Sequence, residues 1–135
     1  MNKIILLCST LVCIQVHSKN PFQDQEVENS DLLSPVAMKL AKELESYFNP
    51  LLVEYINKSQ KKLQTINTLS LSPSKLALYY KTELLIQKYT EITKSILQLR
   101  ITTRADVSTY RKLSKKLDKL EKKIDQNLSD LFENK

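Results

Sequence analysis

The chain has 135 residues, enough for one domain, with 21 Lys and Arg against 15 Asp and Glu, one His, two Cys and neither Gly nor Trp. Without glycine it cannot build a phosphate-cradling loop, a dinucleotide fingerprint or a strained nucleophile elbow, each of which needs a residue lacking Cβ. Those enzyme classes are excluded before any other motif is sought.

Residues 1–18 read as a secretory signal peptide: Lys3 supplies the positive start, an apolar run extends from Ile4 to Val16, and His17-Ser18 closes it with a polar, small-residue end. The run is far shorter than the roughly 20 residues needed to span a bilayer. We therefore expect no transmembrane segment and a secreted, extracellular product, cut after Ser18. Cleavage there removes Cys8, Cys13 and His17 together, so the mature chain carries no Cys and no His. Disulfides, Cys/His zinc sites, imidazole or thiolate catalysis and His-based pH switching are ruled out with them. The remaining carboxylates fall on polar helical faces among lysines, where an ordinary solvated state is expected. The expectation is a protein that is not an enzyme and holds no cofactor or metal.

Residues 19–33 form an acidic leader, with Asp24, Glu26, Glu28 and Asp31 against Lys19, and too few apolar side chains to pack; it is expected to be mobile. The helical domain is placed at residues 34–135. It opens on Ser34-Pro35, a capping side chain followed by the residue favoured in a first helical turn. Ala37, Leu40, Ala41, Leu44 and Phe48 then recur at spacings of three and four. Asn49-Pro50 interrupts, yet Leu52, Tyr55, Ser59, Leu63 and Ile66 continue in phase, so the first helix is expected to kink or break at Pro50.

Ser72-Pro73 repeats the cap-and-proline signal. The second seam is Leu78, Leu85, Tyr89, Ile92, Ile96 and Leu99. Tyr79, Leu84, Ile86, Leu97 and Ile101 widen it beyond what one neighbouring helix covers. Thr103 with Asp106 three residues on signs the third helix, as in a capping box with a shorter acid. Its seam is Tyr110, Leu113, Leu117, Leu120, Ile124 and Leu131, with Asn127 in phase and pointing inward. The fold class is all-α: an elongated antiparallel bundle of three long helices joined by short linkers, or four if the chain reverses at Pro50.

Four features bear on function. Residues 111–123 hold Arg111, Lys112, Lys115, Lys116, Lys119, Lys122 and Lys123 against only Asp118 and Glu121, a net +5 that falls mostly opposite the third seam. Such a face suits an acidic protein or other anionic surface. It lacks the interleaved aromatics of a nucleic-acid site, and no nucleic acid is expected. Tyr79 and Tyr80 are adjacent and so about 100° apart on a helix; one ring must leave the seam, where it becomes an anchor for a partner. Of the two glycosylation sequons, Asn57-Lys58-Ser59 lies off its seam and Asn127-Leu128-Ser129 on it, which favours Asn57. The dibasic pairs at 61–62, 115–116 and 122–123 lie inside helical patterns, where processing proteases cannot extend the backbone.

A small secreted, cysteine-free, lysine-rich chain with a signal segment at residues 1–18 and a helical layout over 34–135 resembles the secreted products of insect glands. In size and layout it is similar to the accessory-gland seminal fluid peptides of fruit flies. The resemblance implies a male-secreted protein that is transferred in seminal fluid and acts by binding. It assigns no functional residue. The expected function is extracellular protein binding through Lys115, Lys116, Lys119 and Lys122 with Tyr79 or Tyr80. The alternative is an amphipathic bundle that opens at Pro50 and associates with lipid. Surplus apolar face on the second helix would also permit a homo-oligomer.

Overall fold

The computed structural model describes residues 32–133. The expected signal peptide, and all of the acidic leader except Leu32 and Leu33, lie outside the described residues. Three helices, α1 (Pro35–Gln64), α2 (Pro73–Gln98) and α3 (Arg104–Phe132), make up the described chain together with one 3₁₀ turn at Thr68–Ser70, and no strand forms among the described residues. At 1.5 Å per residue the 30-residue α1 is about 45 Å long.

Each helix starts where the sequence caps it. Ser34 Oγ accepts from the Ala37 N–H at 3.1 Å, and Ser72 Oγ accepts from the Lys75 N–H at 3.3 Å, each with proline in the first turn. At α3 the box closes in both directions, Asp106 N–H to Thr103 Oγ1 at 3.2 Å and Thr103 N–H to Asp106 Oδ2 at 2.9 Å. Burial pushes the Asp106 carboxyl up, but the donors of Thr102 and Thr103 outweigh it and hold the group below its ordinary value. Helix ends are made without left-handed residues: no described residue has positive φ, and α2 stops by turning extended at Leu99. In a chain without glycine the usual left-handed stop carries a steric cost at every position.

Pro50 sits inside α1, which runs on to Gln64. The chain does not break or reverse there, so the bundle has three helices and not four. Proline removes one donor, the N–H that would reach the Ser46 carbonyl. The apolar seam stays in phase on both sides, and its burial holds the helix together across that gap.

Polar contacts fix the order of the helices. The ring centroids of Tyr55 on α1 and Tyr89 on α2 are 4.9 Å apart. Lys75 Nζ at the start of α2 donates to the Glu133 carbonyl just past the end of α3 at 2.6 Å. The Leu33 N–H donates to the Thr102 carbonyl at 2.9 Å, and Tyr55 Oη donates to Asp125 Oδ1 at 2.7 Å. So α2 runs antiparallel to both neighbours and α1 runs parallel to α3. Helix α2 packs against α1 and α3, which touch each other least. Leu33, the last residue assigned to the leader, is only 6% exposed and closes the end of the core.

The seams are buried with three departures. Leu128 (5% exposed) takes the inward position expected of Asn127, which is half-buried: the seam steps four residues from Ile124 and then three to Leu131. Tyr89 and Tyr110, of a residue type whose hydroxyl ordinarily reaches water from the edge of a core, are buried outright. Thr82 and Thr93 are also buried on α2, and Thr82 Oγ1 satisfies itself by donating to the Leu78 carbonyl at 2.7 Å. The wide stripe of α2 is covered only in part, since Leu84 and Leu97 remain exposed.

Two outcomes are expected. Leu117→Ala, at a fully buried seam position, should lower unfolding free energy in urea by about 2–5 kcal/mol. Pro50→Ala should raise it, by on the order of 1–3 kcal/mol, because the missing bond to the Ser46 carbonyl is restored.

Candidate functional site

On an ideal helix the seven cations of residues 111–123 span about 140° of the α3 circumference, centred opposite the seam. All seven are exposed. The two acids of the same stretch are not exposed with them. Glu121 is 1% exposed and Asp118 5%, against the expectation of solvated carboxylates. Glu121 lies in the groove beside α1, where the Tyr55 hydroxyl is 3.3 Å from its carbonyl. The outer face of α3 is thereby left to cations alone, with Lys122 reaching inward to Asp118 at 3.4 Å.

Part of this face has shape as well as charge. Between α2 and α3 lies a shallow groove of about 380 Å³, with Ile92 and Leu120 as its floor and Lys88, Lys116, Lys119 and Lys123 around it, Glu91 being its acid. Of the expected binding lysines, Lys116 and Lys119 line this groove, while Lys115 and Lys122 are exposed on the same helix outside it. Tyr79 and Tyr80 are elsewhere. Tyr79 is half-buried in a separate groove between α1 and α2, beside Leu63 and Ile86. Tyr80 is 52% exposed, its ring edge-on to Tyr79 with centroids 5.5 Å apart. The lysines and the tyrosine pair therefore do not form one surface. Asn57 is exposed on α1.

A second groove, of about 580 Å³, opens between α1 and α3, with Glu121, Asp125, Leu128 and Phe132 on the α3 side and Tyr55, Lys58 and Lys62 on the α1 side. Tyr55 Oη is committed to Asp125 and lies 3.3 Å from the Glu121 carbonyl. Burial and the Asp125 contact together hold the Tyr55 phenol well above its ordinary value. Burial does the same for Tyr89, with the charges of Glu121, Asp125 and Asp118 adding to it. Among the described residues neither carboxylate oxygen of Glu121 has a hydrogen-bond partner, and neither does the Tyr89 hydroxyl. Burial, then the negative charges of Asp125 and Asp118, push the Glu121 carboxyl up to about 7. No sequence signal marked Glu121, because a position at the edge of a stripe is buried or wet according to where the neighbouring helix lies.

Among the described residues no group of three or more His, Cys, Asp and Glu side chains could hold a metal ion. No helix among them is long and apolar enough to cross a membrane. No family model matches the chain, and no curated protein and no solved structure is similar to it.

The folded Glu121 carboxyl keeps its proton to a higher pH than the unfolded value of 4.5. The folded state thus binds more protons between that value and about 7, and stability falls as pH rises through this window. Glu121→Gln should remove most of that fall and raise stability at pH 8 by on the order of 1–2 kcal/mol, after allowance for screening by solvent at the groove. Urea unfolding at pH 5 and pH 8 checks both statements.

Proposed function

We propose that this chain is a secreted, non-enzymatic binding protein whose last helix presents its cationic face to an acidic surface of an extracellular protein. The single observation that carries the reading is the separation of charge on α3: seven exposed cations face outward while Asp118 and Glu121 are withdrawn into the bundle. Clustered lysines flanking a shallow apolar floor favour a partner that offers carboxylates around a few apolar side chains. Lys116 and Lys119 form the centre of the contact, with Lys115 and Lys122 at its margin. Tyr80, the exposed ring on α2, is a separate anchor. Asn57, exposed on α1 and away from this face, is where a glycan is accommodated. The likeness in layout to insect gland products, seminal fluid peptides among them, supports a secretion that acts by binding; transcription confined to a secretory gland is expected, and transcription throughout the body would contradict it.

A second reading, association with an anionic lipid surface, is favoured by Tyr80 and Leu84, one turn apart on α2 and each more than half exposed. Flotation with phosphatidylserine vesicles separates the two, since the protein-binding reading predicts that the chain stays in the aqueous fraction.

The test of the first reading is charge reversal at Lys115, Lys116, Lys119 and Lys122, each to Glu. A fluorescent poly-glutamate peptide, followed by anisotropy at low salt, should lose at least tenfold in affinity, with helicity unchanged by circular dichroism. A control reverses four scattered lysines, Lys39, Lys42, Lys58 and Lys81, and changes net charge equally. If that control loses as much, net charge explains the binding and the face does not.

A further inference from the structure

The α1–α3 groove holds a feature that the cationic face does not use. Buried carboxylates in folded proteins are ordinarily paired or hydrogen-bonded, because an unpartnered charge taken out of water is strongly disfavoured. Glu121 is 1% exposed, lines the groove, and has no donor on either oxygen among the described residues. Of the nearby donors, the Tyr55 hydroxyl is on Asp125 and the Lys122 ammonium is on Asp118, and neither Lys58 nor Lys62, which line the same groove, bonds to Glu121.

We propose that this groove is a binding site for a small primary amine carrying an aromatic or short aliphatic body, its ammonium seated on the Glu121 carboxylate. Three observations set the chemistry. Asp118 and Asp125 lie three and four residues from Glu121 on the same helix and add negative charge on its side of the groove, which favours a cation over a neutral donor. The hydroxyl residues Ser59 and Ser129 also line the groove, so that with Glu121 they match the three donors of an ammonium. Leu128 and Phe132, one turn apart at the end of α3, supply an apolar wall for the body of the ligand, and Phe132 is 49% exposed and open to it. The volume, about 580 Å³, falls within the range of small-molecule clefts.

The groups facing Glu121 are Tyr55, Lys58 and Lys62 from α1, Tyr89 from α2, and Asp118 and Asp125 from α3 itself. Burial pushes the Glu121 carboxyl up to about 7. The ligand ammonium stays charged around that value, so the carboxyl must lose its proton to receive it. Binding therefore tightens as pH rises from 6 to 8, on the order of tenfold.

The probe is 2-phenylethylamine, titrated into the intact protein by calorimetry at pH 6 and pH 8, with 2-phenylethanol as the uncharged counterpart. The expected result is saturable binding of the amine, tighter at pH 8, with the alcohol at least tenfold weaker. Glu121→Gln, which copies the protonated carboxyl in shape, should abolish the pH dependence and weaken amine binding at least tenfold at pH 8 while remaining helical. Phe132→Ala should weaken binding severalfold and keep the pH dependence. No heat of binding at millimolar amine overturns the proposal. Equal affinity for the alcohol, or unchanged binding by Glu121→Gln, also overturns it, because the groove is then an apolar surface only. These outcomes do not depend on the cationic face, and the reversal of Lys115, Lys116, Lys119 and Lys122 should leave amine binding intact.

Discussion

Burial of the α2 side chains between α1 and α3 is the constraint on which the rest of this structure depends. The described residues hold no disulfide, no metal cluster and no extended sheet, so apolar packing must offset the chain entropy of three long helices. Helix α2 makes that packing in both directions. Leu85, Ile86, Tyr89 and Ile96 are all buried, and they occupy an arc wider than a single neighbour covers. Because α2 takes the contacts of both partners, α1 and α3 are left parallel, side by side and only loosely in touch. The groove between them follows from that arrangement.

The same arrangement distributes charge. Helix α3 carries its cations outward, buries Asp118 and Glu121, and sets Glu121 and Asp125 at the groove beside α1. Beside Tyr55 of α1, Glu121 is buried while Asp125 stays exposed. One of them, Asp125, gains the Tyr55 hydroxyl at 2.7 Å. Glu121 gains nothing and holds its proton instead, the usual response of a buried acid without a counter-charge. The outer face, relieved of its acids, is more uniformly positive than a count along the chain implies. A cationic exterior and an acidic interior margin on one helix are thus two consequences of one packing choice.

The lack of glycine shapes the connections in a similar way. With no residue free of Cβ, every helix end must use right-handed or extended backbone, and the described chain does so without a single positive φ. Thr65 ends α1 in right-handed geometry with its hydroxyl on the Lys62 carbonyl at 2.7 Å, and Asn67 then steers a short 3₁₀ turn through the Leu69 N–H. Leu33 and Thr102 pair across the other end of the bundle, which ties the start of α1 to the start of α3. Side-chain caps and one cross-chain bond do the work that glycine turns do elsewhere.

Much of this fold was legible in the residues alone. Ser34-Pro35, Ser72-Pro73 and Thr103 with Asp106 act over three or four residues, so their capping chemistry is local and needs no knowledge of neighbours. The seams are local too, since the 3.6-residue period is a property of one helix. What the sequence by itself determined is therefore the all-helical class, the capped helix starts, the inward stripes and the outward cluster of lysines on the last helix. The tertiary structure alone decided the continuity of α1 through Pro50, the exchange of Asn127 for Leu128, the separation of Tyr79 and Tyr80 from the lysines, and the burial of Glu121. Each of those turns on where a second helix lies, and at the edge of a stripe a shift of one side-chain width decides between water and core.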